Sequence, residues 1–137
     1  MALLGAALVA LALVVAAAAA FALVGFLSHA LPPPSGPYPV GTLLLPFEFG
    51  SAAPQRLAQV WYPTVARGTS AYAPGEPGLR GWYHRLIRTA AATGAAPARL
   101  ANEPLVVYVP AWGGHRWENT ALASELASYG YVVAALD

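Results

Sequence analysis

The chain has 137 residues, which is enough for at most one small domain behind the apolar segment at its start. Its formal net charge is +1, and its seven basic residues are all arginine and well spread, so no basic stripe indicates nucleic-acid binding. The absence of cysteine excludes a disulfide framework and a zinc–cysteine site, and the three histidines have no metal-ligand spacing.

The first segment, residues 2–27, contains no charged residue and no proline. As a helix it would be about 39 Å long, against about 30 Å for the hydrocarbon core of a bilayer. We therefore predict that residues 1–30 form a membrane anchor. The alternative is a cleaved signal peptide, because Ser28 and Ala30 are small residues where a signal peptidase cuts. Such a leader normally has an apolar region of only about 7–15 residues behind a basic start.

Few charged residues near the ends of this segment are available to predict its orientation in the membrane. The first charged side chain is Glu48, so the positive-inside rule has almost nothing to count. The free amine of Met1 favours a cytoplasmic N-terminus. We expect a single-pass membrane protein with its domain outside the cytoplasm and His29 at the membrane interface, or a secreted protein if the segment is cleaved.

A proline-rich stretch, residues 31–37, follows the apolar segment. Because proline fixes φ and disfavours helix in the residue before it, this stretch predicts a stiff, extended linker. Residues 38–137 then make up the domain. Its first part predicts an early strand or strand pair at 40–49 and a further strand at 56–62. Pro46 places the first at a sheet edge, where proline is tolerated.

The middle of the domain predicts one helix between two loops. Residues 64–78 and 94–103 are predicted to be loops, and residues 79–92 are predicted to be helical. The apolar face of that helix would consist of Trp82, Leu86 and Ala90.

The last part of the chain has the pattern of a βαβ unit. Residues 104–109 form a short continuous apolar run, which is typical of a strand covered on both faces. A tight turn at 110–114 and a helix at 117–129 follow, and Gly130 lies where a C′ glycine belongs. Residues 131–136 are a second apolar strand, which predicts a parallel pair with a right-handed crossover. The apolar stripe of the helix would consist of Leu122, Leu126 and Tyr129.

Several short motifs together resemble one family. They are residues 38–41 (YPVG), 60–63 (VWYP), 104–108 (PLVVY), 113–114 (GG) and 126–137 (LASYGYVVAALD). They look like the platelet-activating-factor acetylhydrolase group of serine esterases, and dienelactone-hydrolase-like relatives share the later motifs. The resemblance implies an α/β fold: an incomplete α/β-hydrolase sheet, made of early strands and one βαβ unit, preceded by an N-terminal transmembrane helix.

The resemblance also implies part of an oxyanion hole. In that group the turn after this strand usually reads His-Gly-Leu-Gly, and the matching positions are Pro110, Ala111, Trp112 and Gly113. The backbone N–H of Trp112 would donate to the oxyanion, within a turn completed by Gly114. Because the donor belongs to the backbone, any residue except proline can supply it, so the changed side chains are compatible with the role.

No catalytic residue is predicted within the chain itself. The nucleophile of an α/β-hydrolase lies in Gly-x-Ser-x-Gly and is followed by an acid and a histidine. None of the serines has that frame: Ser28, Ser35, Ser51, Ser70, Ser124 and Ser128. By the resemblance, the chain stops before the strand that leads to the nucleophile. We therefore expect this polypeptide alone to assemble no triad.

Other notable side chains are given structural roles. Those expected in solvent or at a helix start are His84, His115, Arg116 and Glu118. Trp61 and Trp82 are expected to be core or interface anchors, and the indole of Trp112 could pack over its turn. Asp137, the only aspartate, is expected to form hydrogen bonds at a strand end.

The sequence therefore predicts the N-terminal part of a serine esterase that cleaves carboxylic esters without a metal or cofactor. Short-chain acyl phospholipids are the substrates that the resemblance implies. The alternative is a non-catalytic, membrane-anchored interaction module or the product of a decayed gene. A Gly-x-Ser-x-Gly motif in the reading frame beyond Asp137 would favour the esterase.

Overall fold

A computed structural model describes residues 2–27, 29–48 and 56–136. Ser28, Ser51 and Asp137, which are discussed above, lie outside the described residues. In chain order the elements are α1 (Ala2–Leu27), β1 (Val40–Phe47), β2 (Arg56–Pro63), β3 (Ser70–Ala71), α2 (Gly78–His84), β4 (Arg88–Thr89), β5 (Ala91–Thr93), β6 (Leu105–Tyr108), α3 (Thr120–Ser128) and β7 (Val132–Leu136).

The apolar start of the chain is one continuous helix, α1. Its stretch Gly5–Leu23 has a mean hydropathy of 2.7, and none of that stretch is buried against the domain. By length and composition α1 can cross a membrane, and a signal peptide meets the same criterion.

The domain is built on a mixed sheet with the strand order β5-β1-β2-β7-β6. β1 is parallel to β5, β6 is parallel to β7, and β2 is antiparallel to both of its neighbours. It follows that β1, β5, β6 and β7 all point the same way. We call the edge where these four strands begin the amino-terminal edge and the edge where they end the carboxyl-terminal edge.

The predicted early strands and the βαβ unit are confirmed. β6, α3 and β7 follow one another, and β6 pairs with β7 in parallel from Leu105↔Val132 to Tyr108↔Ala135. β5 covers β1 only over Val40–Thr42, so Pro46 lies on the part of β1 that pairs with β2 alone among the described strands. A proline is tolerated there because no neighbour on that side needs its missing N–H.

The helix predicted over 79–92 is wrong in its second half. α2 ends at His84, and the following residues form the short strands β4 and β5. The reason is tertiary: β5 finds a partner in β1, while Thr89 Oγ1 lies 2.8 Å from Ser70 Oγ across the β3–β4 pair. Pairing of this kind overrides a local helix propensity. The loop predicted over 64–78 accordingly contains β3.

Helix α3 ends as predicted. Gly130 has φ 99°, and its N–H donates to the Ala127 carbonyl at 3.1 Å. The N–H of Tyr131 reaches the Leu126 carbonyl at 3.3 Å. These two bonds form a Schellman cap, which uses a glycine because other residues rarely adopt that φ.

The buried face of α3 agrees with the predicted stripe only at Leu126, which is partly buried against the core. Leu122 is 57% exposed and Tyr129 is 56% exposed. The buried side chains are all small: Thr120, Ala123, Ser124, Ala127 and Ser128. Small side chains let the helix axis lie close to β2 and β7, so the face that contacts the sheet is defined by size more than by hydrophobicity.

The core lies between α3 and the sheet. Its members are Val40, Trp61, Ala91, Ala123, Ala127, Val133 and Ala135. The core role predicted for Trp61 is confirmed, whereas Trp82 is 57% exposed and is no core residue. β6 is not covered on both faces as predicted, because alternate side chains such as Leu105 and Val107 are exposed.

Residues 29–38, which we call the strap, connect α1 to the domain and pack against it. The N–H of Leu31 donates to the Arg88 carbonyl at 2.9 Å, and the N–H of Arg88 donates to His29. Farther along, Ser35 Oγ donates to Glu125 Oε1 at 2.5 Å, and the N–H of Gly36 donates to Ser128 Oγ at 3.0 Å. The proline-rich segment is therefore hydrogen-bonded to β4 and α3.

Candidate functional site

The predicted oxyanion turn lies directly after β6, at the carboxyl-terminal edge. The N–H of Gly114 donates to the Ala111 carbonyl at 2.8 Å, and Gly113 has φ 76°. A positive φ at the third residue of a four-residue turn is the geometry of a type II turn. Only glycine, or less readily asparagine, adopts this φ without strain.

Gly114 is required for a different reason. A Cβ at this position would lie 2.9 Å from the Ala111 oxygen and 2.9 Å from Glu118 Oε2. The carboxylate of Glu118 therefore lies close behind the turn, and any side chain at Gly114 would displace it or open the turn. The two glycines thus fix one backbone path, the first through its φ and the second through its close contacts.

Trp112 is the second residue of the turn. Its side chain is fully exposed, so the indole does not pack over the turn as the sequence suggested. Within the described part of the chain, its N–H donates no hydrogen bond. The turn therefore presents a backbone donor that is available to an acceptor outside the chain.

An open cavity of about 570 Å³ lies over the turn. It is lined by Arg56, Val109, Pro110, Ala111, Trp112, Gly113, Gly114 and His115. Arg56 starts β2, which runs antiparallel to its neighbours and so begins at the same carboxyl-terminal edge. Its guanidinium gives the cavity a positive charge, which favours a ligand that carries or develops negative charge.

Trp117 contacts the two residues that follow the turn, His115 and Arg116. The His115 ring stacks on it, with centroids 4.4 Å apart and planes 6° from parallel. The Arg116 guanidinium lies 4.9 Å from its ring centroid and donates to the Pro74 carbonyl at 2.8 Å. Arg116 is only 2% exposed, so the prediction of a solvated side chain is wrong. Cation–π and hydrogen-bond contacts are what make its burial tolerable.

His84 was expected in solvent and is instead half-buried in an aromatic cluster. Its ring lies 5.7 Å from Tyr72 and 6.1 Å from Trp117, measured between ring centroids. Burial, with the Glu118 carboxylate as the smaller cause, raises the pKa of Tyr72. Sequence inspection missed this cluster, because its members are far apart in the chain and follow no shared pattern.

The structure brings no serine together with a histidine among the described residues. Ser35 bonds to Glu125, Ser70 bonds to Thr89, and Ser128 Oγ donates to a backbone carbonyl. Ser124 is buried on α3 against the sheet. The same part of the chain contains no cluster of acidic and histidine side chains that could hold a metal ion. What the site offers chemically is a hydrogen-bond donor, a cation and an apolar rim.

Comparison with known proteins identifies a solved esterase structure that is similar to this chain. No protein-family profile and no curated protein matches the chain. The ferulic acid esterase from Streptomyces cinnamoneus is 32% identical over 80% of this chain, with a TM-score of 0.68. This chain spans 36% of the length of that esterase.

The chain carries an incomplete α/β-hydrolase sheet. The esterase neighbour, the mixed five-stranded sheet and the βαβ unit all support this fold, and the apolar helix α1 precedes it. The finer resemblance to the platelet-activating-factor acetylhydrolase group stays a prediction.

Proposed function

We propose that this chain supplies the N-terminal part of a carboxylic ester hydrolase and that the Trp112 N–H is one of its two oxyanion donors. The observation that carries the proposal is the turn after β6, whose glycines hold this N–H free at the carboxyl-terminal edge. The likeness to a solved esterase supports the same reading.

In the proposed reaction, the nucleophilic serine, the acid and the histidine come from polypeptide other than residues 1–137. The histidine takes the proton of the serine hydroxyl as the serine oxygen attacks the ester carbonyl carbon, and the carbonyl oxygen becomes an oxyanion. The Trp112 N–H and the N–H of the residue after the nucleophile would stabilise that charge. The intermediate then expels the alcohol, which receives the proton from the histidine. Water next attacks the acyl-enzyme, which releases the acid and restores the serine hydroxyl. Arg56 adds positive charge at the rim of the cavity.

The proposed substrate is a carboxylic ester. The sequence resemblance points to short-chain acyl phospholipids, whereas the solved neighbour is named as an esterase of ferulic acid. The proposal includes a membrane anchor at residues 1–30, a linker at 31–37 and a domain outside the cytoplasm, with secretion as the alternative. A non-catalytic interaction module is the second candidate, favoured by β6, whose Leu105 and Val107 are exposed on a strand with no outer strand partner among the described residues.

A matched pair of substitutions tests the oxyanion role. Trp112→Pro removes the N–H, and proline fits the second position of a type II turn. Trp112→Ala keeps the N–H and removes only an exposed side chain. Both would be made in a chimera in which residues 38–136 replace the matching part of the ferulic acid esterase.

We expect Trp112→Pro to lower kcat about 10²–10³-fold, which is the loss seen when one oxyanion donor is removed. Trp112→Ala should change kcat only a few-fold. Equal effects of the two variants would contradict the backbone role. A folded chimera without esterase activity would favour the interaction module.

A further inference from the structure

The strap joins α1 to the amino-terminal edge of the sheet. His29 and Leu31 exchange hydrogen bonds with Arg88 in β4, and β5 starts three residues later at Ala91, level with Val40. α1 ends at Leu27, and His29 Nδ1 lies 2.7 Å from the Gly25 carbonyl oxygen. The end of the helix is therefore tied closely to the strap.

The second half of the strap, residues 35–38, also lies at the amino-terminal edge, as separate contacts show. Ser35, Gly36 and Tyr38 all bond to the last turns of α3, through Glu125 and Ser128. As the crossover helix between two parallel strands, α3 runs from the carboxyl-terminal edge back to the amino-terminal edge. Its C-terminal turns, and the strap with them, therefore lie at the amino-terminal edge.

The candidate oxyanion turn lies at the opposite edge. Through the strand register Tyr108 is level with Leu44, which is four residues past Val40. Four residues of strand span about 13 Å. Trp112 follows Tyr108 by four more residues and shares its cavity with Arg56, which begins the antiparallel strand β2 at that same edge.

We infer that the site at the Trp112 turn faces away from the bilayer that holds α1, so that its ester substrate arrives dissolved in the aqueous phase. This inference rests on the proposed function, including the anchor role of α1. An ester that stays within the bilayer would lie on the strap side of the sheet. Water-soluble carboxylic esters are therefore the substrate class that this geometry favours over bilayer phospholipids.

The chain contains no cysteine, so single cysteines can report the position of each edge. Three exposed sites would carry a fluorophore in the full chain, reconstituted in phosphatidylcholine vesicles: Ala30→Cys on the strap, and Ala101→Cys and Trp112→Cys before and after β6. Lipids with a nitroxide on the headgroup or on the acyl chain quench nearby labels. Iodide quenches labels in water.

We expect the headgroup quencher to remove most of the emission at position 30, less at position 101 and none at position 112. Iodide should quench position 112 fully. Equal lipid quenching at positions 30 and 112 would overturn the inference and would leave the Trp112 chimera result untouched. A chain that does not stay with the vesicles would overturn it as well, by removing the anchor from the proposed function.

A second measurement tests the strap itself. Ala30 and Arg88 are parallel bridge partners, and such partners are about 5 Å apart at Cα, which a disulfide can span. Oxidation of the double variant Ala30→Cys, Arg88→Cys in vesicles should yield the crosslink, which electrophoresis of a protease digest detects. Failure of the crosslink would overturn the inference, because an undocked strap would let the domain turn freely.

Discussion

The strands β2 and β6 differ in composition and in surroundings: β2 contains Arg56 and Gln59 and lies inside the sheet, whereas β6 is wholly apolar and lies at its edge. β2 pairs with β1 on one side and β7 on the other, and Trp61 at its centre is fully buried under α3. β6 pairs only with β7 among the described strands, and Leu105 and Val107 are 63% and 55% exposed.

The sheet therefore has a finished side, at β1 and β2, and an open side, at β6. On the side with β1 and β2, β2 has a strand partner on each side, β1 has a second partner, β5, over Val40–Thr42, and α3 packs on this part of the sheet. The strap closes its amino-terminal edge. The side with β6 has an apolar strand whose outer N–H and C=O groups have no strand partner within the described residues. An edge of this kind pairs readily with another polypeptide.

The largest effect is expected at the centre of the finished side. Trp61→Ala removes a fully buried indole and should lower the free energy of unfolding by about 3–5 kcal/mol. Trp82→Ala, which removes an exposed indole, is the control and should cost far less. Urea unfolding of the full chain in detergent micelles measures both. Similar costs for the two variants would mean that the finished side is no better packed than the surface.

The next prediction concerns the open side. We expect the chain to self-associate through β6, and the domain expressed without α1 to be aggregation-prone. Val107→Lys puts a charge in the middle of the edge strand and should shift the chain towards monomer. Val65→Lys changes a valine in a loop that is more exposed, 82% against 55% for Val107, and should leave self-association unchanged. Sedimentation of the detergent-solubilised chain measures the degree of self-association. A wild-type monomer with one sharp thermal transition would contradict it.

A smaller effect on the free energy of unfolding is expected at the turn that follows β6. Gly113→Ala forces a Cβ into the left-handed region and should cost about 1–2 kcal/mol. Gly113→Asn should cost less, because asparagine tolerates this φ better. Thermal unfolding of the two variants checks the order. If alanine were as good as asparagine, the turn would not hold the φ that presents the Trp112 N–H.

The sequence predicted those elements whose pattern is set locally. β1, β2, β6, β7 and the Gly130 cap were all predicted, because apolar runs, proline and glycine determine them within a few residues. The end of α2 was missed, because β5 forms only through its pairing with distant β1. The face of α3 was predicted correctly only at Leu126, because close packing selected small side chains over Leu122 and Tyr129.

In the candidate site, the sequence predicted the backbone turn but not the side-chain contacts around it. The turn at Ala111–Gly114 was marked by its glycines, and the structure places it after β6. The burial of Arg116 against Trp117 had no local pattern that could reveal it. Long-range contacts of this kind depend on the path of the 70–77 segment, to which Pro74 belongs.

The smallest expected effect lies in the strap, on the finished side. Hydrogen bonds from the side chain and the N–H of Ser35 lower the pKa of Glu125 below its ordinary value of 4.5. Because the folded-state pKa is the lower one, this interaction stabilises the fold above pH 4.5 and is lost as the pH falls through the folded-state value. Glu125→Gln should therefore lower the Tm slightly at pH 7 and not at strongly acidic pH. Ser35→Ala should lower the Tm with the same pH dependence. The double variant should lower the Tm little more than either single variant, because the two residues share one interaction. A Tm difference of the same size at both pH values would contradict this prediction, because the charge of the Glu125 carboxylate would then contribute nothing.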